Sequence, residues 1–146
     1  MDRSCGTCTK CCDGWLTANI RGHLMTLGTP CFFVKSGVGC NDYENRPEHP
    51  CKGYECAWLS HLDMPDFMKP NLSDCIIDIR TYPPYTIFHL TEAGSNFNIE
   101  SIEVLKKYSE SKNMNCSWYV NNKYGWHGNT EFNSFMNSRL ETIGWV

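Results

Sequence analysis

The sequence predicts an α+β protein: a loop-rich, metal-organised N-terminal cysteine module packed with a small, mostly antiparallel sheet and two or three helices. Eight of the ten cysteines fall between Cys5 and Cys56. The same stretch is punctuated by Gly14, Gly22, Gly28, Gly37, Gly39, Pro30, Pro47 and Pro50, turn formers that leave little room for long elements. From Cys75 onward, β-branched and aromatic runs alternate with helical apolar periodicity, the pattern of an α+β unit. The chain has 146 residues, the length of one domain, with 41% hydrophobic and 20% charged residues, so a core can form without disulfides. The division expected is a cysteine-cluster module over 1–61 and an α+β part over 62–146, packed as one unit.

Taken in order, Leu16, Ala18 and Ile20 alternate with Thr17 and Asn19, a short strand pattern. "CFFVKSGVGC" reads as two arms around Ser36-Gly37-Val38-Gly39, a hairpin. "RPEHPCKGYECAWL" predicts a short helix with Pro47 or Pro50 in its first turn, which would place Cys51 and Cys56 on neighbouring faces. Asp63 to Asp74 is a proline-marked connection. "CIIDIRTY" and "YTIFHLT" are strands separated by Pro83-Pro84. "NIESIEVLKKYSESKN" is a helix capped by Asn98, with Ile99, Ile102, Leu105 and Tyr108 as its apolar stripe. "NCSWYVNN" is a strand. "TEFNSFMNSRLETIG" is a helix capped by Thr130 that buries Phe132, Phe135, Met136 and Leu140.

The formal net charge is −3, and no basic run exists, so no nucleic-acid partner is expected. No run of eighteen apolar residues exists, so no membrane span is expected either. Met-Asp-Arg-Ser-Cys lacks the apolar segment of a signal peptide, which predicts a cytoplasmic protein with reduced thiols. In that compartment ten cysteines point to metal rather than to bridges.

The cluster reads C-x2-C-x2-C-C, eighteen residues, then C-x8-C-x10-C-x4-C. A C-x2-C turn lets two sulfurs reach one ion at about 2.3 Å. The candidate ligands are Cys5, Cys8, Cys11, Cys12, Cys31, Cys40, Cys51 and Cys56. Adjacent side chains point apart, so Cys11 and Cys12 suit two ions, or two corners of a cluster, better than one tetrahedral ion. Eight thiolates fit about two four-coordinate sites, with zinc favoured and iron or an iron–sulfur cluster as the alternative. Arg3, Lys10, Arg46 and Lys52 lie close enough in sequence to offset thiolate charge.

Other residues have plainer readings. Cys75 and Cys116 lie within strands and are expected to be buried small side chains. Cys31, beside Phe32 and Phe33, is open between burial and ligation. His49 precedes Cys51 by two residues and could ligate, although eight cysteines suffice. His61 and His89 read as surface or core residues. His127, in Gly125-Trp126-His127-Gly128, reads as part of a tight turn, with a binding loop as the alternative. Asp42, Glu44, Glu48 and Glu55 read as solvated charges with no acid–base spacing, and no catalytic residue is assigned. A thioredoxin-like C-x2-C is excluded, because only four residues precede Cys5 and the required strand is missing.

The fixed positions Cys5, Cys8, Cys11, Cys12, Cys31, Gly39, Cys40, Tyr43, Arg46, Pro47, Cys51 and Cys56 together resemble the zinc- or iron-chelating (YkgJ-like) cysteine-cluster family over about the first sixty residues. The resemblance implies metal binding and makes Cys31 a ligand, while leaving activity open. It carries Tyr43 and Arg46 over as motif residues. Their role is either charge and hydrogen-bond support of the thiolates or rigid packing of the turn. Three functions follow: a cytoplasmic metal-chelating protein, an iron–sulfur or iron-dependent redox protein, and a zinc-stabilised protein-interaction module.

Overall fold

The computed structural model describes residues 3, 5–6, 8–26, 28–41, 43–47, 51 and 54–143, the last four without their side chains. Pro50, His49, Lys52, Asp42 and Glu48, and most of the helix expected before Cys56, lie outside the described residues. The architecture is α+β, as the sequence predicts.

The N-terminal half is built from short pieces. A 3-10 turn, Lys10–Cys12, leads to the hairpin β1 (Ala18–Ile20) and β2 (His23–Met25). Arg21 and Gly22 close it with φ of 52° and 83°, the mirror-image turn that matches strand twist. A second hairpin pairs β3 (Val34–Lys35) with β4 (Gly39–Cys40), as "CFFVKSGVGC" predicts. Gly14 has φ +94°, and a Cβ there would meet the Thr29–Pro30 backbone at 3.0 Å, so only glycine fits. A further 3-10 turn, Tyr43–Asn45, precedes the single-turn helix α1 (Ala57–Ser60). Cys56 is extended just before α1, so no one helix carries both Cys51 and Cys56.

The connection Asp63–Asp74 holds one 3-10 turn, Asp66–Met68, and a second single-turn helix, α2 (Pro70–Ser73). Then comes a four-stranded sheet in order β5-β6-β7-β8, formed by Cys75–Tyr82, Tyr85–Glu92, Asn115–Val120 and Lys123–His127. Only β6 and β7 run parallel, and α3 (Glu100–Ser111) makes the crossover that parallel pairing requires. The last described element is α4 (Thr130–Ile143). Among the described residues, no helix is long and apolar enough to cross a membrane.

Four expectations change in detail. β8 replaces the turn expected around His127, whose Nε2 lies 2.7 Å from Glu110 on α3. Asn121 and Asn122, with φ of 54° and 62°, form the hairpin turn and so end β7 at Val120. Ile99 is 62% exposed and leaves the α3 stripe to Ile102, Leu105 and Tyr108. Asn98 does cap α3, its Oδ1 accepting Glu100 N–H at 2.9 Å. On α4, Asn129 and not Thr130 is the cap: its Oδ1 accepts Phe132 N–H at 2.8 Å.

Register assigns the two faces of the sheet, because paired residues share a face and neighbours alternate. Ile77, Phe88, Leu90, Cys116 and Val120 lie on one face and pack with Ile102 and Leu105 of α3. Cys75 and Cys116 are fully buried, and burial pushes each thiol up to about 11. On the other face, Ile87 packs with Phe132 and Met136 of α4. Cys56, Ala57 and Trp58 belong to the same core cluster as Ile76 and Ile77, so the cysteine module and the sheet share buried surface. Replacing Asn129 by Ala is expected to cost about 1 kcal/mol in denaturant unfolding, and Thr130→Ala much less. Equal losses at the two positions would contradict the cap assignment.

Candidate metal centre

All ten cysteines are free thiols, and the eight of the N-terminal cluster line one cavity of about 790 Å³. Their placement begins with the Lys10–Cys12 turn, which is anchored on two sides. Lys10 Nζ lies 3.2 Å from the Asp74 carboxylate at the head of β5. Thr9 Oγ1 accepts Gly37 N–H at 2.8 Å, and Asp13 accepts the Ser36 hydroxyl at 2.9 Å, which binds the turn to the β3–β4 hairpin. Cys31 N–H donates to Cys12 O at 2.8 Å and adds a third strand of contact.

From this turn the two adjacent cysteines diverge. Residues on a 3-10 helix are about 120° apart, so neighbours cannot share a direction. Cys11 enters the main core beside Trp15 and Tyr54, with Cys56 close by. Its thiol donates to the Cys56 sulfur and is thereby raised well above the ordinary thiol value. Cys56 is held down to about 7 by that bond first, with backbone N–H groups of Leu59 and Trp58 assisting against burial. Cys5 is raised by burial and then by Cys56 and Cys8. Cys12 lies with Cys31 and Cys51 in a separate small cluster over Ile20 and Met25. It is pushed up to about 12, by burial first and then by the charge of Cys31, Cys51 and Cys40. Cys51 is raised by burial and by the same two partners, Cys31 and Cys40. These interactions sort the eight thiols into two neighbourhoods, Cys5, Cys8, Cys11 and Cys56 on one side and Cys12, Cys31, Cys40 and Cys51 on the other, with Cys12 also raising Cys11 across the divide.

Positive charge reaches these thiols from sites partly unforeseen. Arg46 favours the thiolates of Cys5 and Cys51, joined by Lys69 at Cys5 and Arg21 at Cys51. Arg46 also stacks 3.7 Å from the Tyr43 ring centre and donates to Tyr43 O at 3.0 Å, so it both packs the turn and supplies charge. Arg3 and Lys10 act elsewhere. Arg3 donates to Trp58 O and Met64 O, each at 2.6 Å, and clasps the chain onto α1. Among the described residues of the cluster, the tyrosine hydroxyl that meets a sulfur is that of Tyr54, 3.8 Å from Cys11 Sγ, and not that of Tyr43. The sequence signal for Tyr54 was its position two residues before Cys56, which alone assigns no role. His61 packs edge-on against Phe88, and His89 is buried in the sheet.

The donor set is all sulfur. Burial and neighbouring sulfurs raise Cys5, Cys11, Cys12 and Cys51, and a borderline or soft cation relieves such repulsion. Among the described residues, no three Cys, His, Asp or Glu side chains meet in a geometry that would hold an ion. The two neighbourhoods are therefore a sorting of thiols by shared electrostatics and not a finished coordination shell. Compared with known protein families, curated proteins and solved structures, the chain matches none.

In chelator-treated protein, ultraviolet absorbance should show one thiolate titrating near pH 7, absent in Cys56→Ser and shifted upward in Cys11→Ala. Because the folded value lies below the ordinary 9.0, the stability from Cys56 is complete above pH 9 and lost as pH falls through 7. Cys12 behaves oppositely: stability kept below pH 9 is lost as pH rises towards about 12. The stability difference between parent and Cys56→Ser should thus grow from pH 6 to pH 9. A flat difference would contradict the assignment.

Proposed function

We propose that the protein is a cytoplasmic metal-chelating protein that binds about two ions, one in each thiol quartet, with zinc as the favoured metal. The observation that carries this reading is the sorting of Cys11 and Cys12. Cys12 is raised by Cys31, Cys51 and Cys40, whereas Cys11 bonds to Cys56, which together with Cys8 raises Cys5; the one direct link between the two sets is the effect of Cys12 on its neighbour Cys11. Four thiolates match the tetrahedral preference of zinc, and none is left over. The metal would be held by Cys5, Cys8, Cys11 and Cys56 at one site and by Cys12, Cys31, Cys40 and Cys51 at the other. Backbone N–H groups at the start of α1 would support the Cys56 thiolate, and Arg46, Lys69 and Arg21 would offset the net negative charge. Binding has to draw each quartet closer. The backbone that carries them, with positive φ at Gly6, Gly14, Gly37 and Gly39, permits such adjustment. The resemblance to the zinc- or iron-chelating cysteine-cluster family, carried by the eight cysteines with Gly39, Tyr43, Arg46 and Pro47, supports the same reading.

Elemental analysis of protein purified without oxygen tests the reading. About two zinc ions per chain are expected in the parent, and about one in Cys11→Ser and in Cys12→Ser. Iron with acid-labile sulfide, and a visible band lost in either variant, would replace zinc by an iron–sulfur cluster. A single ion that survives both substitutions would overturn the two-site proposal.

A further inference from the structure

The cavity that the eight cysteines line has a second wall, formed by the sheet. Register places Ile76, Asp78, Arg80, Ile87, His89, Ser117, Tyr119 and Tyr124 on that face. Ile76 and Ile87 are fully buried, as packing on a sheet face requires. The positions between them break the rule. Asp78 and Arg80 form an ion pair at 3.1 Å, with side chains 13% and 34% exposed. His89 is 1% exposed, and its Nδ1 lies 2.6 Å from the Ser117 hydroxyl, which fixes the ring. Charged and polar groups inside a protein cost stability unless they are paired and put to use. Here they are paired and oriented, and Asp78, Arg80 and His89 line the cavity.

The cavity's 790 Å³ falls in the range of small-molecule sites, roughly 300–1,000 Å³. We infer that the sheet wall is a binding site for a small aromatic monocarboxylate, its carboxylate on Arg80 and its ring against Tyr119 and Tyr124. Arg80 engages Asp78 through Nε. A guanidinium so fixed and still partly accessible can take a carboxylate on its terminal nitrogens. Asp78 already offsets much of the Arg80 charge, so a carboxylate must be held by directed hydrogen bonds from the guanidinium, and a second added negative charge is disfavoured. Burial keeps His89 neutral, down to about 3, so it adds a hydrogen-bonding group and no second cation. The aromatic preference comes from the walls: Tyr119 and Tyr124 have ring centres 4.7 Å apart, and Trp15 and Leu16 also line the cavity. The inference rests on the sheet and does not require a metal in either quartet.

The full chain, as purified, is titrated with phenylacetate and followed by calorimetry and amide NMR. One saturable site is expected, with shifts centred on Asp78, Arg80, His89, Tyr119 and Tyr124. The uncharged isostere 2-phenylethanol should bind about tenfold more weakly or worse, as should the dianion phenyl phosphate. Arg80→Gln alone leaves Asp78 buried and unpaired, so the decisive variant is Asp78→Asn/Arg80→Gln, which removes both charges together. It should keep the parent spectrum away from the cavity and lose phenylacetate affinity by about tenfold or more. Absence of saturation, shifts centred elsewhere, equal binding of 2-phenylethanol, tighter binding of phenyl phosphate, or unchanged affinity in the double variant would each overturn the inference.

Discussion

Two adjacent cysteines on a 3-10 turn cannot face the same way, and this constraint organises the N-terminal half. Because Lys10–Cys12 is a 3-10 turn, Cys11 points into the core shared with the sheet, and Cys12 points into the small cluster around Ile20 and Met25. Everything that fixes this turn therefore fixes both thiol neighbourhoods. Lys10 ties it to Asp74, where β5 begins, while Thr9 and Asp13 tie it to the hairpin that carries Cys40. Cys31 is bonded to it through the backbone of Cys12. Arg3 clasps the opposite end of the segment onto α1, directly after Cys56.

The same burial that orders these thiols works against their charge. Thiols at 9.0 in water rise when enclosed and rise further when neighbours ionise. Cys12 shows this most clearly, while Cys56 escapes it because Cys11 and the first N–H groups of α1 donate to its sulfur. A chain that concentrates such groups bears a cost in the thiolate form that a bound cation would remove, which links the electrostatics of the cluster to the function proposed for it. Across the cavity, the sheet presents a second set of oriented polar groups, Asp78, Arg80 and His89, on the face that also buries Ile76 and Ile87.

Much of this was legible in the residues. "CIIDIRTY" matches β5 residue for residue, because β-branched density and the flanking prolines leave no competing reading. The strand after Val120 was hidden, since Asn121-Asn122 was read as strand rather than as a left-handed turn pair. The cap of α4 was misplaced by one residue because Asn129 and Thr130 are both good caps and only the folded backbone chooses. Spacing suggested that the adjacent cysteines part company. That Cys56, last of the eight, joins the first three depends on how α1 packs on the sheet and is not written in the spacing. Nearness in sequence misassigned Arg3 and Lys10 and missed Lys69, whose charge reaches Cys5 only through the fold. The Asp78–Arg80–His89 stripe was invisible for a similar reason. A polar alternation along a strand looks the same whether it faces water or a cavity.

The division of eight cysteines into two quartets is tested most directly by cadmium substitution and proton–cadmium correlation NMR on the full chain. Two cadmium resonances are expected. One should correlate with the β-protons of Cys5, Cys8, Cys11 and Cys56, and the other with those of Cys12, Cys31, Cys40 and Cys51. A single resonance, or one cadmium coupled to both Cys11 and Cys12, would contradict the account.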